Sequence, residues 1–241
     1  MTFLNIRKQY DFRTIEIGRW VTPDERDRAA VKFAHALADL MATLQGPEVL
    51  ISLRGQLGLQ FGIGGRPGVA AHYIPASRQL ALAKNAGAGS LAHEWFHALD
   101  HYLADKAFQV SNRTAFASSC WLNNQPDIPH PINSLLGACF KSILLDKSGN
   151  KASDLFQCSK AADKQLGVLY YARPEEVCAR AFEAFVEDTG PANNFLVKGS
   201  RNSKEARAGL YPRGEQRRQI NQAFREYFST LGAALNAGSQ N

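Results

Sequence analysis

The stretch Ser90-Leu91-Ala92-His93-Glu94-Trp95-Phe96-His97-Ala98-Leu99-Asp100-His101-Tyr102 holds the residues best suited to chemistry. His93 and His97 are four apart, so on a helix they share a face, and two imidazoles so placed can hold one metal ion through their ring nitrogens. Glu94 lies about a third of a turn round, beside the open coordination position. A carboxylate there can take a proton from a water polarised by the ion and pass it to a leaving amine. Zinc suits this task, because it lowers the pKa of a bound water from about 15.7 to about 7. The expected function is a zinc-dependent hydrolase, in particular a metallopeptidase acting on a protein or peptide substrate.

Asp100, seven residues after His93 on the same face, can accept a hydrogen bond from a ligand histidine and so orient its ring. His101 is one position off that face and reads as a surface or internally satisfied histidine. A metzincin would need a further histidine at 103, where Leu103 stands. A catalytic zinc needs a third protein ligand and one open position. The best donors lie in the segment from Pro174 to Asp188. At about 100° per residue, Glu176, Arg180, Glu183 and Glu187 form one stripe. Val177, Cys178, Ala181 and Phe185 form an apolar face opposite. Such a stripe is ordinarily a solvated surface; the need for a third ligand singles it out. Glu176 and Glu183 are seven apart, and spacing does not choose between them.

These residues must be positioned by a scaffold. Thr22-Pro23-Asp24-Glu25 carries a capping box and a proline at the first helical position, so a helix starts there. Ala29, Phe33, Leu37, Leu40 and Leu44 continue it at helical spacing until Gly46-Pro47. Val49 to Leu53 reads as a short buried strand, Leu57 to Phe61 alternates as the next, and Gln79 to Ala83 as one more. Gly62 to Gly68 fails as a dinucleotide loop, since Pro67 stands where GxGxxG needs its third glycine, and reads as turns. Asn85 to Ser90 is a small-residue turn with Ser90 a candidate cap for the helix from Leu91 to about Ala104. Two helices are expected near 132–145 and 153–166, one from Pro174 to about Asp188, and a last one from after Tyr211-Pro212 to about Leu235.

The chain has 241 residues, of which 45% are hydrophobic and 21% charged, with a net charge of +6. That supports a folded core and argues against disorder. Four cysteines, Cys120, Cys139, Cys158 and Cys178, form no CxxC knuckle and are expected to be reduced. The absence of a signal-type N-terminus and of any run of eighteen apolar residues makes the cytoplasm the expected location, with no membrane contact. A competing reading is non-enzymatic: a zinc-stapled protein of mobile-element type binding nucleic acid or a protein partner through its basic surface. Arg201, Lys204, Arg207, Arg213, Arg217, Arg218 and Arg225 support that reading, although exposed helical charges are usually just solvated.

AHEWFHALDHY followed by YYARPEEVCARAFEAF resembles the glutamate-ligand zincins (gluzincins). The HEWxHALD form with ARAFEAF is similar to large polyvalent protein-associated domain 1. The bacterial family labelled CLCA_X is resembled from about residue 11 to 235, through segments including DFRTIEIGRW and GLYPRGEQRRQINQAF. The zinc pattern is more remotely similar to the catalytic domain of anthrax lethal factor. The resemblance implies a zincin-like α+β fold: a small mixed sheet and active-site helix in an N-terminal lobe, about 11–105, and a mainly helical C-terminal lobe, about 106–235, in one domain. It implies Glu176 as third ligand, leaving Glu183 to support a ligand from behind, and an assisting tyrosine. Tyr170 comes nearest that tyrosine's place, with Tyr171 competing. Residues 109–168 look like an insertion that shapes or covers the cleft. Arg78 to Ala83 would be the edge strand above it, with His72 and Tyr73 at the rim.

Overall fold

The computed structural model describes residues 1–63, 71–84 and 89–238. The chain opens with helix α1 (Phe3–Tyr10), whose N-cap Thr2 forms a capping box with Asn5. Strand β1 (Thr14–Ile17) follows, then α2 (Pro23–Leu44), started by the Thr22–Glu25 capping box that the sequence announces. Next come α3 (Glu48–Ile51) and β2 (Gly58–Phe61), β3 (Ala71–Ile74) and β4 (Gln79–Leu82). Helix α4 (Leu91–Ala107) carries the His93–His97 pair. The remainder is helical: α5 (Ala117–Leu122), α6 (Pro131–Leu144), α7 (Asp154–Leu166), α8 (Pro174–Thr189), α9 (Lys204–Arg207) and α10 (Gly214–Gly238).

The four strands form one mixed sheet in the order β1-β2-β4-β3. β1, β2 and β4 are parallel, and β3 runs antiparallel to β4, with His72 opposite Ala81 and Tyr73 opposite Leu80. The architecture is α+β, a small sheet beside a mostly helical body. No helix among the described residues is long and apolar enough to cross a membrane.

Several expectations are corrected. Val49 to Leu53 is not a strand: Glu48–Ile51 is a helical turn, and Leu53 and Arg54 then adopt left-handed backbone with φ of 53° and 58°. A short apolar run is ambiguous between strand and buried helix, and packing decides. β4 is not an edge strand; β2 and β3 flank it, and β3 with His72 and Tyr73 takes the edge. Ser90 does not cap α4 with its side chain; the Leu196 carbonyl instead accepts from the Ala92 N–H at 3.0 Å. The glycine-rich turn expected over 62–68 and the small-residue turn over 85–90 lie largely outside the described residues.

One core runs through the molecule. α1, upstream of residue 11, buries Phe3, Ile6 and Tyr10 in it. The stretch 109–168 is no mere cover: α6 buries Leu136, Cys139, Phe140, Ile143 and Leu144 in the same core and packs on α8 and α10. Trp95, Phe96, Phe182, Phe185, Phe224 and Phe228 bring α4, α8 and α10 together, with ring centroids 5.0–6.1 Å apart. This aromatic packing sets the relation between the two helices that matter most, α4 and α8. The four cysteines are free thiols, three of them buried.

Arg217 ties α10 to the end of α8. Its Nε and a terminal nitrogen grip both Asp188 oxygens at 2.7 and 2.8 Å, and it also donates to Ser200. Burial opposes ionisation of Asp188, but the Arg217, Asn221 and Arg201 contacts override it and bring the pKa down to about 2. A carboxylate depressed from its unfolded value of about 3.9 contributes stability above that value and loses it as the pH falls towards about 2. Arg217→Met should cost about 3 kcal/mol at pH 7, read as a lower urea midpoint. The difference from wild type should shrink between about pH 4 and 2 as Asp188 protonates.

Candidate metal centre

Helix α4 presents its histidines towards α8. The Nε2 atoms of His93 and His97 lie 3.0 Å apart. Glu176, in the first turn of α8, points one carboxylate oxygen at each: Oε2 is 3.2 Å from His93 Nε2 and Oε1 is 3.4 Å from His97 Nε2. These three side chains converge with all donor atoms within 4.8 Å of one another, a group able to hold a metal ion. Pro174 starts α8 in the position that proline tolerates best, and Glu175 and Glu176 in its first turn complement the helix dipole.

Glu183 is placed differently. It reaches the other face of the same imidazole: His93 Nδ1 donates to Glu183 Oε1 at 2.5 Å. Tyr211, just before α10, donates its hydroxyl to Glu183 Oε2 at 2.9 Å. The two glutamates that spacing left equivalent are thus separated by the ring nitrogen each meets. Glu176 faces the Nε2 pair, and Glu183, bonded to Nδ1, orients the His93 ring so that Nε2 faces the cluster. Tyr211 read as no more than a helix-start signal in the sequence, and nothing local marks it as a partner of Glu183.

The polar stripe of α8 is buried rather than solvated. Glu176 is 8% exposed, Arg180 4% and Glu183 4%. α8 is enclosed by α4, α5, α6, α7 and α10, so its ionisable groups must pair with one another. Arg180 lies 3.9 Å from Glu176 Oε2 and donates to the Leu210 and Tyr171 carbonyls and to Ser159 Oγ. Burial would raise the pKa of Glu176, but hydrogen bonds from His93 and His97 and their charges hold it well below the usual carboxylate range. At His93 burial disfavours the imidazolium. The Glu183 charge, hydrogen bonds to Glu176 and Glu183, and the Glu94 charge prevail, pushing the pKa up to about 10.

Glu94 is half-buried on α4, and its charge acts on both His93 and Tyr170. Tyr170 is 44% exposed, yet its hydroxyl end is set beside Glu176. Burial, then the charge of Glu176 and a hydrogen bond to it, raise its pKa above the ordinary tyrosine value. Tyr171 faces elsewhere, with the Arg180 guanidinium 5.6 Å over its ring. The turn bearing both tyrosines is pinned by Asp163, whose carboxylate accepts from the Tyr170, Tyr171 and Ala172 N–H groups at 2.7–3.2 Å. Asp163, in the last turn of α7, was not legible in the sequence as the anchor of this turn.

Asp100 is not the histidine orienter expected of it. It is buried, and Ser118 takes both its oxygens, through the backbone N–H at 2.8 Å and Oγ at 2.5 Å. Burial raises its pKa to about 7, against the Ser118 bonds that lower it. Among the described residues, His97 Nδ1 is buried with no hydrogen-bond partner. Asp100 and Ser118 fasten α4 to α5, and Ser119 continues to Glu175 of α8 at 2.9 Å. α5 therefore ties together the two helices that bear the metal-ligand candidates, and Phe116 at its start packs edge-on against His97 at 6.0 Å.

His101 is satisfied internally, as its position suggested. Its Nε2 must donate to the Arg113 carbonyl at 2.7 Å, so the neutral ring accepts from Tyr73 at Nδ1, also at 2.7 Å. This link ties the edge strand β3 to α4. Of the basic C-terminal residues, Arg217 is buried, Arg201 pairs with Asp188 and Arg218 with Glu215, so part of that charge is spent inside the fold.

The family model described as large polyvalent protein-associated domain 1 matches residues 162–235. The match spans α8 and α10, and with them Glu176, Glu183 and Tyr211, but stops short of α4. No curated protein and no solved structure matches the chain.

Proposed function

We propose that this chain is a zinc metallopeptidase that hydrolyses peptide bonds in a protein or peptide substrate. The observation that supports it is the convergence of His93, His97 and Glu176 with Glu94 beside them. Two imidazole nitrogens and one carboxylate oxygen suit zinc, and three protein ligands leave a coordination position free, as catalytic zinc requires. Zinc, when bound, polarises the scissile carbonyl and lowers the pKa of water.

The chain's own groups carry the protons. Glu94 takes the proton of the attacking water and delivers it to the amine nitrogen as the C–N bond breaks. Tyr170, kept protonated by its raised pKa, donates to the oxygen that gains negative charge. Glu183 holds His93 in one tautomer and Tyr211 holds Glu183. β3, at the sheet edge and tied to α4 through Tyr73 and His101, offers main-chain groups to an extended peptide.

The test is exposure of a mixed peptide library to the zinc-loaded protein, with new termini read by mass spectrometry. Cleavage that stops on chelation and returns with zinc is expected; an uncut library would overturn the proposal. Removing the outer support should act on the metal more than on the fold. Glu183→Gln and Tyr211→Phe are each expected to weaken zinc binding about 10-fold or more in a competition titration with a chromogenic chelator. Unchanged affinity in both would remove the positioning role.

A further inference from the structure

Large apolar side chains reach solvent at few places in the chain, and they concentrate at one. Of the nine exposed large hydrophobics among the described residues, four are Leu166, Val168, Leu169 and Tyr170, where α7 gives way to α8. Leu169 is the most open of them, at 83%. Apolar residues scattered singly over a surface need no explanation, but a patch of them does. The turn beneath the patch is held fast. Gly167 closes α7 in left-handed backbone, and the Val168 N–H donates to the Asp163 carbonyl at 3.1 Å. The Asp163 carboxylate takes the Tyr170, Tyr171 and Ala172 N–H groups, and Arg173 Nε donates to the Leu169 carbonyl at 2.8 Å. With the backbone already fixed, little conformational freedom is lost when something docks there.

The place of the patch points to its occupant. Tyr170, its last member, sets its hydroxyl on Glu176, and the charges of Glu176 and Glu94 both reach it. The apolar turn therefore borders the His93–His97–Glu176 cluster. Two carboxylates at that border oppose an anionic lipid surface. A peptide with one carbonyl at the cluster advances about 3.3–3.6 Å per residue, so its neighbouring side chains come to the turn within a few residues.

We propose that Leu166, Val168 and Leu169 form an apolar ledge that selects the substrate: a peptide with a large aliphatic or aromatic side chain close to the bond to be cut, seated on Leu169. The proposal deepens the peptidase reading and rests on it for the reaction. The seat itself is a binding property and is measured without turnover.

The experiment has two arms. In the first, the full chain carrying Glu94→Gln, with zinc in excess, is titrated into fluorescein-labelled alanine–glycine peptides with a central leucine, serine or lysine, and anisotropy is read. The leucine peptide should bind about tenfold tighter than the serine peptide, the worth of burying most of one such side chain. Adding Leu169→Ser should cut that preference to about threefold or less, and adding Leu169→Glu should turn it towards the lysine peptide. Zinc content and thermal midpoint should stay as in the parent, because the side chain stands in solvent. In the second arm the wild-type protein is given a mixed peptide library, and the cut sites should carry a large apolar residue at one fixed position within about three residues of the bond. An uncut library beside an intact leucine preference would sink the peptidase reading and leave the ledge standing. No leucine preference in binding, or one that Leu169→Ser leaves untouched, would overturn the ledge even with the library cut. So would flotation with phosphatidylcholine vesicles, or a dimer in sedimentation velocity, that Leu169→Ser abolishes.

Discussion

Glu176→Ala should leave a folded protein that no longer retains zinc through purification and dialysis. The carboxylate is 8% exposed and meets the Nε2 atoms of both histidines. Removing it takes away one of the three proposed ligands and the negative charge that would offset a dication in a buried site. Breaking a buried charge pair costs about 3–5 kcal/mol, roughly a hundred- to several-thousand-fold in affinity. Metal analysis by plasma mass spectrometry should show about one zinc per wild-type chain and far less than that in the variant. The ranking matters as much as the loss. Glu183→Gln touches the metal only through His93 and should weaken binding by about 10- to 100-fold. A variant at 183 that lost zinc more completely than the variant at 176 would exchange their roles.

The second large effect belongs to Glu94→Gln. The amide keeps the size of the side chain and its place on α4 but cannot take up a proton. Glu94 is not among the three converging donors, so zinc content should stay near one per chain. Peptide cleavage should fall by about 10²–10⁴, the usual worth of a positioned general base. The combination separates this residue from a ligand: metal kept, turnover lost. A variant cleaving at the wild-type rate would place the base elsewhere, and Tyr170 and Glu183 would be the first groups to test.

The part of this site that is local in sequence was legible there. Two histidines one turn apart with a glutamate between them need only a helix, and α4 supplies it. The choice between Glu176 and Glu183 was not legible, because both lie on one stripe of α8. What separates them is which nitrogen of His93 each meets, and that follows from how the Phe96–Phe182 contact seats α8 against α4. The same limit hid Tyr211 and Asp163, which act across 28 residues and across a helix junction, respectively. Asp100 shows the converse. Its place on the helix face was right, but a neighbour invisible to periodicity, Ser118, claims both oxygens.

The fold was legible where caps and long periods speak. The Thr22–Glu25 capping box and the apolar positions of α2 and α10 settle those helices. Short elements were harder. Val49–Leu53 has the composition of a strand but is too short for its period to arbitrate, and the left-handed turn at Leu53–Arg54 redirects the chain. The strand order was beyond local reading too, because β4 inserts between β2 and β3 through pairing that only the assembled sheet defines.

The most direct measurement is a crystal of the zinc-soaked protein with diffraction collected on both sides of the zinc absorption edge. One anomalous peak is expected, bounded by His93 Nε2, His97 Nε2 and a Glu176 oxygen, with Glu183 still on His93 Nδ1. A peak held by other residues, or none at this cluster with zinc in excess, would contradict it.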